Sequence, residues 1–456
     1  MFSTDDSIVA IATPPGRGGI GIVRISGPAS HEIAANILDH VKPLEPRHAT
    51  FTRVRGTVAT APGCGTARII DEVVATSFPA PHSYTGEHMV EISAHGNPVV
   101  LQAIVASAVA SGARLAKPGE FTLRAFLNGK RDLIQAEAVG DLIAAATPAQ
   151  ARVAFDQLDG TLTQRIAALD HDLFDLIARL EASLDFPDEG YHFIEPADIA
   201  RRLATVLTDL DNLLGDAGAG RLIREGASVV VVGRPNVGKS SVFNMLAGAD
   251  RAIVTAIPGT TRDLVSERVD INGLEITLVD TAGWRETQDL VEREGVARSE
   301  QARRAADLVI LVLDRSEPLH AEDHELLAGT ADRERIVVAN KSDLPGHLDT
   351  AVARHVDVSA KTQAGLHELR CAIVRALIGR ESLQDSAAIS NIRHIRLLEQ
   401  ARASIGAARS AAATNTPEEF VLADLQAARA SFEEIVGARA SEDLLHHIFE
   451  RFCVGK

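Results

Sequence analysis

The sequence predicts a multidomain chain of α/β and all-α character: a small N-terminal α/β domain, then a discontinuous helical domain interrupted by a second, mostly parallel α/β unit. Three observations predict it. Short apolar runs separated by Pro and Gly turns fill the opening of the chain. Helical apolar stripes occur on both sides of residues 224–380, and within those residues strand patterns alternate with helical ones. At 456 residues there is room for two to four domains, each able to bury its own core.

Residues 1–118 carry the runs SIVAIAT, GIGIVRIS, EVVATSF and HMVEISA, broken by turns such as Thr13-Pro-Pro-Gly-Arg-Gly-Gly19, and read as short strands of a small α/β domain. Residues 119–223 turn helical. In RRLATVLTDLDNLL, Leu203, Val206, Leu207, Leu210 and Leu214 recur at i, i+3, i+4, i+7 and i+11, the stripe of a helix packed on its neighbours. Residues 224–380 alternate strands and helices, as in a sheet covered on both faces. Residues 381–456 are helical again. Thr416-Pro417-Glu418-Glu419 offers an N-cap, a proline at N1 and a capping-box glutamate ahead of Phe420, Leu422, Leu425 and Phe432, and SEDLLHHIFERF forms a last helix. Each helical segment has an apolar stripe that must be covered, so the economical arrangement packs the two together and treats 224–380 as an insertion.

Composition narrows the classes of function. A formal net charge of −16 opposes nonspecific attraction to nucleic acid, while leaving room for a local basic surface. Three widely spaced cysteines, Cys64, Cys371 and Cys453, suggest neither a disulfide framework nor a C-x-x-C zinc site, and fit a reducing compartment. No stretch approaches the roughly 18 apolar residues that span a bilayer. MFSTDDSIVA carries acids where a signal peptide carries bases, so the expectation is a soluble cytoplasmic protein with no membrane partner.

The chemistry is concentrated in the insertion. The run VVVVGRPNVGKSS leads a strand into Gly233-Arg-Pro-Asn-Val-Gly238-Lys239-Ser240, the pattern G-x-x-x-x-G-K-[ST]. Glycines let backbone N–H groups curl around phosphates, Lys239 adds a point charge and the Ser240 hydroxyl can coordinate Mg²⁺. Asn236, Val237, Gly238, Lys239, Ser240 and Ser241 form the predicted cradle, completed by a helix N-terminus. After the strand EITLVD come Asp280, Thr281, Ala282 and Gly283, where an acid can hold Mg²⁺ and a glycine N–H can sense a γ-phosphate. RIVVAN then delivers Asn340, Lys341 and Asp343 of NKSD. A carboxylate there can accept from guanine N1–H and its exocyclic amine, and Ser359, Ala360 and Lys361 follow the next strand. GTP rather than ATP is the predicted ligand.

In order along the chain, TPPGRGGIGIVRISGP, SYTGEHMVEISAHG, KPGEFTLRAFLNGKRDLIQAEAVGDLI, GRPNVGKSS, GTTRD, DTAGWRET, NKSD and a terminal Cys453-Val454-Gly455-Lys456 resemble the MnmE (TrmE) tRNA-modification GTPase family over essentially the whole chain. The resemblance implies an N-terminal tetrahydrofolate-binding and dimerising domain at 1–118, a helical domain at 119–223 and 381–456, and an inserted Ras-like P-loop G domain at 224–380. It also implies a homodimer that joins an FAD- and NADH-using MnmG (GidA) flavoprotein in a heterotetramer or larger complex. Such complexes install an aminomethyl-type group at C5 of wobble uridine in tRNA, with 5-formyl- or 5,10-methylene-tetrahydrofolate as one-carbon source.

Individual roles follow from chemistry and from the resemblance together. Where Ras-like proteins place a water-orienting glutamine after the D-x-x-G glycine, this chain has Trp284, whose indole cannot do that work. The resemblance points instead to Glu292 in Asp289-Leu-Val-Glu-Arg-Glu294. No arginine finger stands out, although Arg234, Arg262 and Arg285 lie near the motifs, so the resemblance assigns transition-state neutralisation to K⁺. Asn236 and the loop Thr255, Ala256, Ile257, Pro258, Gly259 and Thr260 match the family's cation-binding and nucleotide-binding positions, with Asn236, Thr255, Ile257 and Thr260 as K⁺ ligands. Thr261 of GTTRD joins Ser240 on Mg²⁺.

For folate, the resemblance selects Arg24, Glu91, Lys130 and Lys456, a cation set with one carboxylate that suits a pterin donor face and a glutamyl tail. By the resemblance Cys453 stands near the transferred carbon, although a buried cysteine at a helix end is the commoner case. Asn97 stands where the family often has glycine, which calls for a left-handed Asn in that turn. The other reading is an Era-like RNA-binding switch of ribosome assembly, which shares GRPNVGKS and TTR but would place an RNA-binding module with a G-x-x-G loop after the G domain.

Overall fold

The computed structural model describes residues 5–57, 67–185, 195–249, 265–280, 306–347, 354–379, 389–414 and 416–455. It divides into two compact units, Met1–Gly140 with Glu433–Lys456, and Asp141–Phe432.

The first unit is built on a six-stranded sheet of order β3-β4-β5-β2-β1-β6. Its strands are β1 (Ile8–Ile11), β2 (Gly18–Ser26), β3 (Thr50–Thr57), β4 (Ala67–Phe78), β5 (Met89–Gly96) and β6 (Arg114–Leu115). All neighbours are antiparallel except β1 and β6, which are parallel. The four apolar runs of the sequence fall on β1, β2, β4 and β5. The other two strands were hidden because β3, TFTRVRGT, alternates with charges and β6 is two residues long. Val9, Val23, Ile25, Val90 and Ile92 project from one face onto Ile33, Ile37, Leu101 and Ile104 of the helices Ser30–Ile37 and Pro98–Ala110. Asn97 is not left-handed. It is the N-cap of the second helix, at φ −105° and ψ 123°, and its side chain accepts from the Val99 N–H, so capping rather than a turn explains asparagine there.

Arg124 is the largest side chain buried in this unit, at 1% exposure. Its guanidinium donates to the Asp6 carbonyl at 2.8 Å and to the carboxylates of Asp6, Glu87 and Glu120 at 2.5, 3.2 and 3.1 Å. Arg114 closes the set, donating to Asp6 at 2.6 Å and to Glu120 at 2.6 Å. Planar guanidinium groups suit such sharing, because several N–H donors leave the plane in fixed directions.

The second unit contains the sheet β12-β11-β10-β7-β9-β8. Its strands are β7 (Ala227–Val232), β8 (Val265–Ile271), β9 (Leu274–Asp280), β10 (Leu308–Asp314), β11 (Arg335–Asn340) and β12 (Val356–Asp357). All pairs are parallel except β8 with β9, a hairpin turning at Asn272 and Gly273, both with positive φ (53° and 92°). Asn-Gly is the pair that favours such turns. Val229 and Val231 face one buried layer with Val242, Leu246 and Ile373, while Val230 and Val232 face the other with Leu311 and Leu313. That two-sided burial is why β7 and β10 read as unbroken apolar runs.

In the same unit the helix Pro196–Gly215 packs along the helix Ile392–Ala413, from the opposite side of the P-loop segment in sequence. The stripe on the first comprises Leu203, Val206, Leu207, Leu210 and Leu213, so the last turn buries Leu213 where the spacing pointed to Leu214. On the helix Glu418–Val436 the buried positions are Val421, Leu425, Ala428, Phe432 and Ile435, whereas Phe420 is 61% exposed. Only a stripe at 4-3-4 spacing stays on one face, and Phe420 falls one residue out of phase with it.

Burial tends to raise the Glu120 carboxyl, but hydrogen bonds from Arg114 and the Lys117 N–H hold it below its usual range, and hydrogen bonding from Arg114 lowers Asp6 in the same way. Lowered carboxyls contribute stability that is complete above their unfolded-state range and is lost as pH falls through the lowered values. Arg124→Met, which takes the cation from Glu87 and leaves Asp6 and Glu120 to Arg114 alone, is therefore expected to destabilise this unit by about 3–5 kcal/mol and to move its acid-unfolding midpoint to higher pH. Denaturation followed at pH 7 and pH 4 checks both, and an unchanged acid midpoint would contradict the account.

Candidate nucleotide site and N-terminal site

The loops at the carboxyl ends of β7, β10 and β11 meet where open α/β sheets place their ligands. From β7 the chain enters the loop 233–238 and then the helix Lys239–Ala249, so Lys239, Ser240 and Ser241 occupy its first turn, at the helix end that favours anions. Asn236 is exposed and left-handed at φ 65°, while Val237 is fully buried and anchors the loop from below. Lys239 Nζ donates to the Arg234 carbonyl at 2.9 Å, folding the ammonium back over its own loop. Gly238, at φ 96°, has no room for a side chain, since a Cβ there would lie 2.2 Å from Asn340 Nδ2.

Asn340 ends β11 and is 3% exposed. Its Nδ2 donates to the Val237 carbonyl at 2.9 Å and its Oδ1 accepts from the Ala360 N–H at 3.1 Å, so one carboxamide ties the phosphate loop to the Ser359-Ala360-Lys361 loop. Ser359 Oγ donates to Asp343 at 2.7 Å and accepts from the Thr362 N–H at 3.2 Å. That hydrogen bond holds the Asp343 carboxyl below its usual range, keeping it an acceptor for paired N–H donors. Lys341, left-handed at φ 64°, pairs with Asp314 at the end of β10. Burial pushes the Asp314 carboxyl up, and hydrogen bonds from Lys341 and Ser316 more than offset it.

Arg234, a candidate finger by position, is engaged elsewhere: it donates to Asp323 at 3.2 Å and to Glu317 at 2.5 Å. Asp280 closes β9 at the same end of the sheet. Thr281, Ala282, Gly283, Trp284 and Glu292, together with Thr255, Ala256, Ile257, Pro258, Gly259, Thr260 and Thr261, lie outside the described residues. The described cradle is compatible with a polyphosphate: Lys239 and the first turn of the helix Lys239–Ala249 follow a loop in which Gly238 leaves no space for a side chain against Asn340. Asp314 was missed by sequence reasoning. Its signal was an acid ending an apolar strand, LVILVLD, in register with Asn340.

The first unit brings the N-terminal candidates together. Arg24 of β2 stands directly opposite Glu91 of β5, with Nε to Oε1 at 2.9 Å and Nη2 to Oε1 at 2.7 Å. The same guanidinium lies over the rings of Tyr84 and Phe121 at 5.1 and 5.7 Å and donates to the Gly455 carbonyl at 3.4 Å. Val454 bridges to Pro118, and the Cys453 carbonyl accepts from the Gly119 N–H, so the C-terminal strand end is laid across this site. Gly455 is required there: at φ 97°, a Cβ would meet the Ile11 carbonyl oxygen at 2.2 Å. The Cys453 thiol is exposed rather than buried. Lys130 is exposed, with its stem beside Gly86, and Lys456 lies outside the described residues. Tyr84 and Phe121, which frame Arg24, gave no separate signal in sequence. Among the described residues no group of three or more His, Cys, Asp or Glu is placed to hold a metal, and no helix is long and apolar enough to cross a membrane.

Asn340→Ala leaves the buried Val237 carbonyl without its donor and the Ala360 N–H without its acceptor. The expected cost is about 1–3 kcal/mol in urea denaturation. Gly238→Ala is expected to abolish guanine nucleotide binding in calorimetry while the far-UV spectrum stays unchanged, and retained affinity would show that the loop is not the phosphate cradle.

A family profile described as the GTP-binding protein TrmE N-terminus matches residues 7–130, and one described as the MnmE helical domain matches residues 133–453. The tRNA modification GTPase MnmE of Koribacter versatilis is 45% identical across 100% of this chain and 100% of that protein. That of Thiobacillus denitrificans is 44% identical across 99% and 98%. Among solved structures, the G domain of the T. maritima FeoB iron transporter is 29% identical, covers 33% of this chain and 98% of that one, and has a TM-score of 0.26. Similarity that runs unbroken through both units, joined to the phosphate loop and guanine-type loops above, makes this chain a member of the MnmE family of tRNA modification GTPases.

Proposed function

We propose that this GTPase works in a K⁺-dependent manner as the GTP-hydrolysing subunit of a tRNA-modifying complex. With an FAD-containing, NADH-using MnmG partner, it adds an aminomethyl or carboxymethylaminomethyl group at C5 of wobble uridine, using a one-carbon unit from a tetrahydrofolate derivative. The observation that carries the reading is the seating of the Cys453-Val454-Gly455 stretch on Arg24, the partner of Glu91, and on Pro118 and Gly119. It joins the C-terminal motif to the sheet of the N-terminal domain in one site. Membership of the family over the whole chain, rather than over a G domain alone, favours it over an Era-like switch.

In this reading Lys239 and the first-turn N–H groups hold the β- and γ-phosphates, and Ser240 with Thr261 holds Mg²⁺, which supplies charge neutralisation at the transferring phosphoryl group. Asn236, with Thr255, Ile257 and Thr260, holds K⁺. An uncharged amide oxygen on an exposed left-handed loop residue suits a large monovalent cation, and the engagement of Arg234 with Glu317 and Asp323 leaves the charge to be met by something else. Glu292 orients the attacking water, and Asp343 reads the guanine edge beside Ser359, Ala360 and Lys361. In the N-terminal domain Arg24, Lys130 and Lys456 neutralise carboxylates of the folate tail, Glu91 accepts from the pterin, and the exposed Cys453 thiol stands near the one-carbon unit. Exposed Ile20 and Phe51 on the sheet support a homodimer through the same domain, with Phe51 on the edge strand β3.

Hydrolysis of GTP is expected to be markedly faster in K⁺ than in Na⁺ at equal ionic strength, and the difference is expected to vanish in Asn236→Ala. Equal wild-type rates in the two salts would remove the cation from the mechanism. Arg24→Ala is expected to weaken binding of 5-formyl-tetrahydrofolate at least about tenfold, as fits the loss of a charged hydrogen bond, with GTP affinity unchanged. Unaltered folate affinity in titration calorimetry would move the folate site elsewhere.

A further inference from the structure

The hairpin of β8 and β9 directly connects the two sequence segments assigned to sensing the γ-phosphate. GTTRD ends two residues before Val265, where β8 begins, and β9 ends on the aspartate of DTAG. Seven consecutive cross-strand pairs join the two strands, from Val265 with Asp280 to Ile271 with Leu274, so displacement of either segment is carried to the turn end as a rigid body.

At that turn end the hairpin is gripped by the helical segment that precedes the P-loop domain. Gln150 is 7% exposed and sits at N3 of the helix Pro148–Leu158. Its Oε1 accepts from the N–H groups of Ala146 and Thr147 at 2.7 and 3.1 Å in a capping box, while Thr147 Oγ1 accepts from the Gln150 N–H. Its Nε2 donates to Glu275 Oε2 at 2.8 Å and to the Arg224 carbonyl at 3.3 Å. Glu275 is the second residue of β9, and its other oxygen accepts from Arg268 of β8 at 3.3 Å. Beside it, Arg224 makes a two-pronged pair with Asp141 at 2.7 and 2.9 Å. One carboxamide therefore fixes a helix start, the end of the helix that leads into β7, and the hairpin between the two sensing segments.

We propose that Gln150 and Glu275 form the coupling contact through which the bound nucleotide biases the helical segment, a role that rests on the assignment of GTTRD and DTAG as γ-phosphate sensors. Coupling of this kind is reciprocal: a contact whose strength differs between the GDP and GTP forms must alter the ratio of the two affinities when it is broken. A merely structural contact shifts both affinities together or neither.

Gln150→Glu tests this cleanly. Glutamate is the natural residue at N3 of a capping box and keeps Oε1 as the acceptor, but it places a second carboxylate against Glu275. The ratio of affinities for GDP and a non-hydrolysable GTP analogue, measured by calorimetry, is expected to change by about fivefold or more. Gln150→Glu combined with Glu275→Gln restores a donor across the contact and is expected to return the ratio to the wild-type value. Glu275→Ala, which breaks the contact from the strand side, is expected to move the ratio as well and serves if Gln150→Glu does not fold. An unchanged ratio in the folded single variants, or no recovery in the pair, overturns the proposal. Failure of the underlying GTP reading would show differently, as no nucleotide binding by the unaltered protein.

Discussion

The carboxamide of Asn340 is bonded at both ends, and the nucleotide end of the second sheet depends on it. Its two partners, the Val237 carbonyl and the Ala360 N–H, belong to loops more than a hundred residues apart in sequence. Buried as it is, the group could not be left half satisfied without a cost comparable to a whole hydrogen bond. The consequence is register. Val237 is pulled down into the core, Gly238 passes so close to the Asn340 side chain that only glycine fits, and the next residues begin the helix Lys239–Ala249. On the other side the same bond sets the height of Ser359, which in turn holds Asp343.

The first unit is organised by a different kind of constraint, a buried cation. Arg124 has carboxylates from three separate segments around it, which fixes the chain near Asp6, the loop before β5 and the start of the helix Glu120–Leu127 relative to one another. These are the segments that frame Arg24: β1 and β5 flank it through the sheet, Tyr84 lies just before Glu87, and Phe121 just after Glu120. Removing Arg124 would therefore disturb more than local packing, because a buried carboxylate left without its cation, here Glu87, is costlier than a cavity.

The two sites thus rest on different physical devices. Polyphosphate recognition rests on backbone N–H groups and a tight glycine, so the motif is short and contiguous. The Arg24 site is assembled from side chains on β2 and β5 and from the C-terminal stretch, with Gly455 admitted beneath the Ile11 carbonyl only because it lacks a side chain. A contiguous motif announces itself in a sequence; an assembled one does not.

That difference also divides what the sequence by itself determined from what only the tertiary structure decided. The strands β1, β2, β4, β5, β7, β9 and β11, the P-loop and the guanine-type loop were legible because each is a local pattern of apolar residues, several of them ending in residues with one chemical use. The polar alternation of β3, the burial of Leu213 in place of Leu214 and the outward position of Phe420 were not, since they depend on which neighbour each face meets. Nor could spacing reveal that Asn97 caps a helix, that Asp314 holds Lys341, or that Gln150 reaches Glu275, 125 residues away. Propensity and periodicity act over a few residues. Partners brought together by long-range closure of a sheet are chosen by packing and by the need to satisfy every buried polar group, and only the folded chain specifies them.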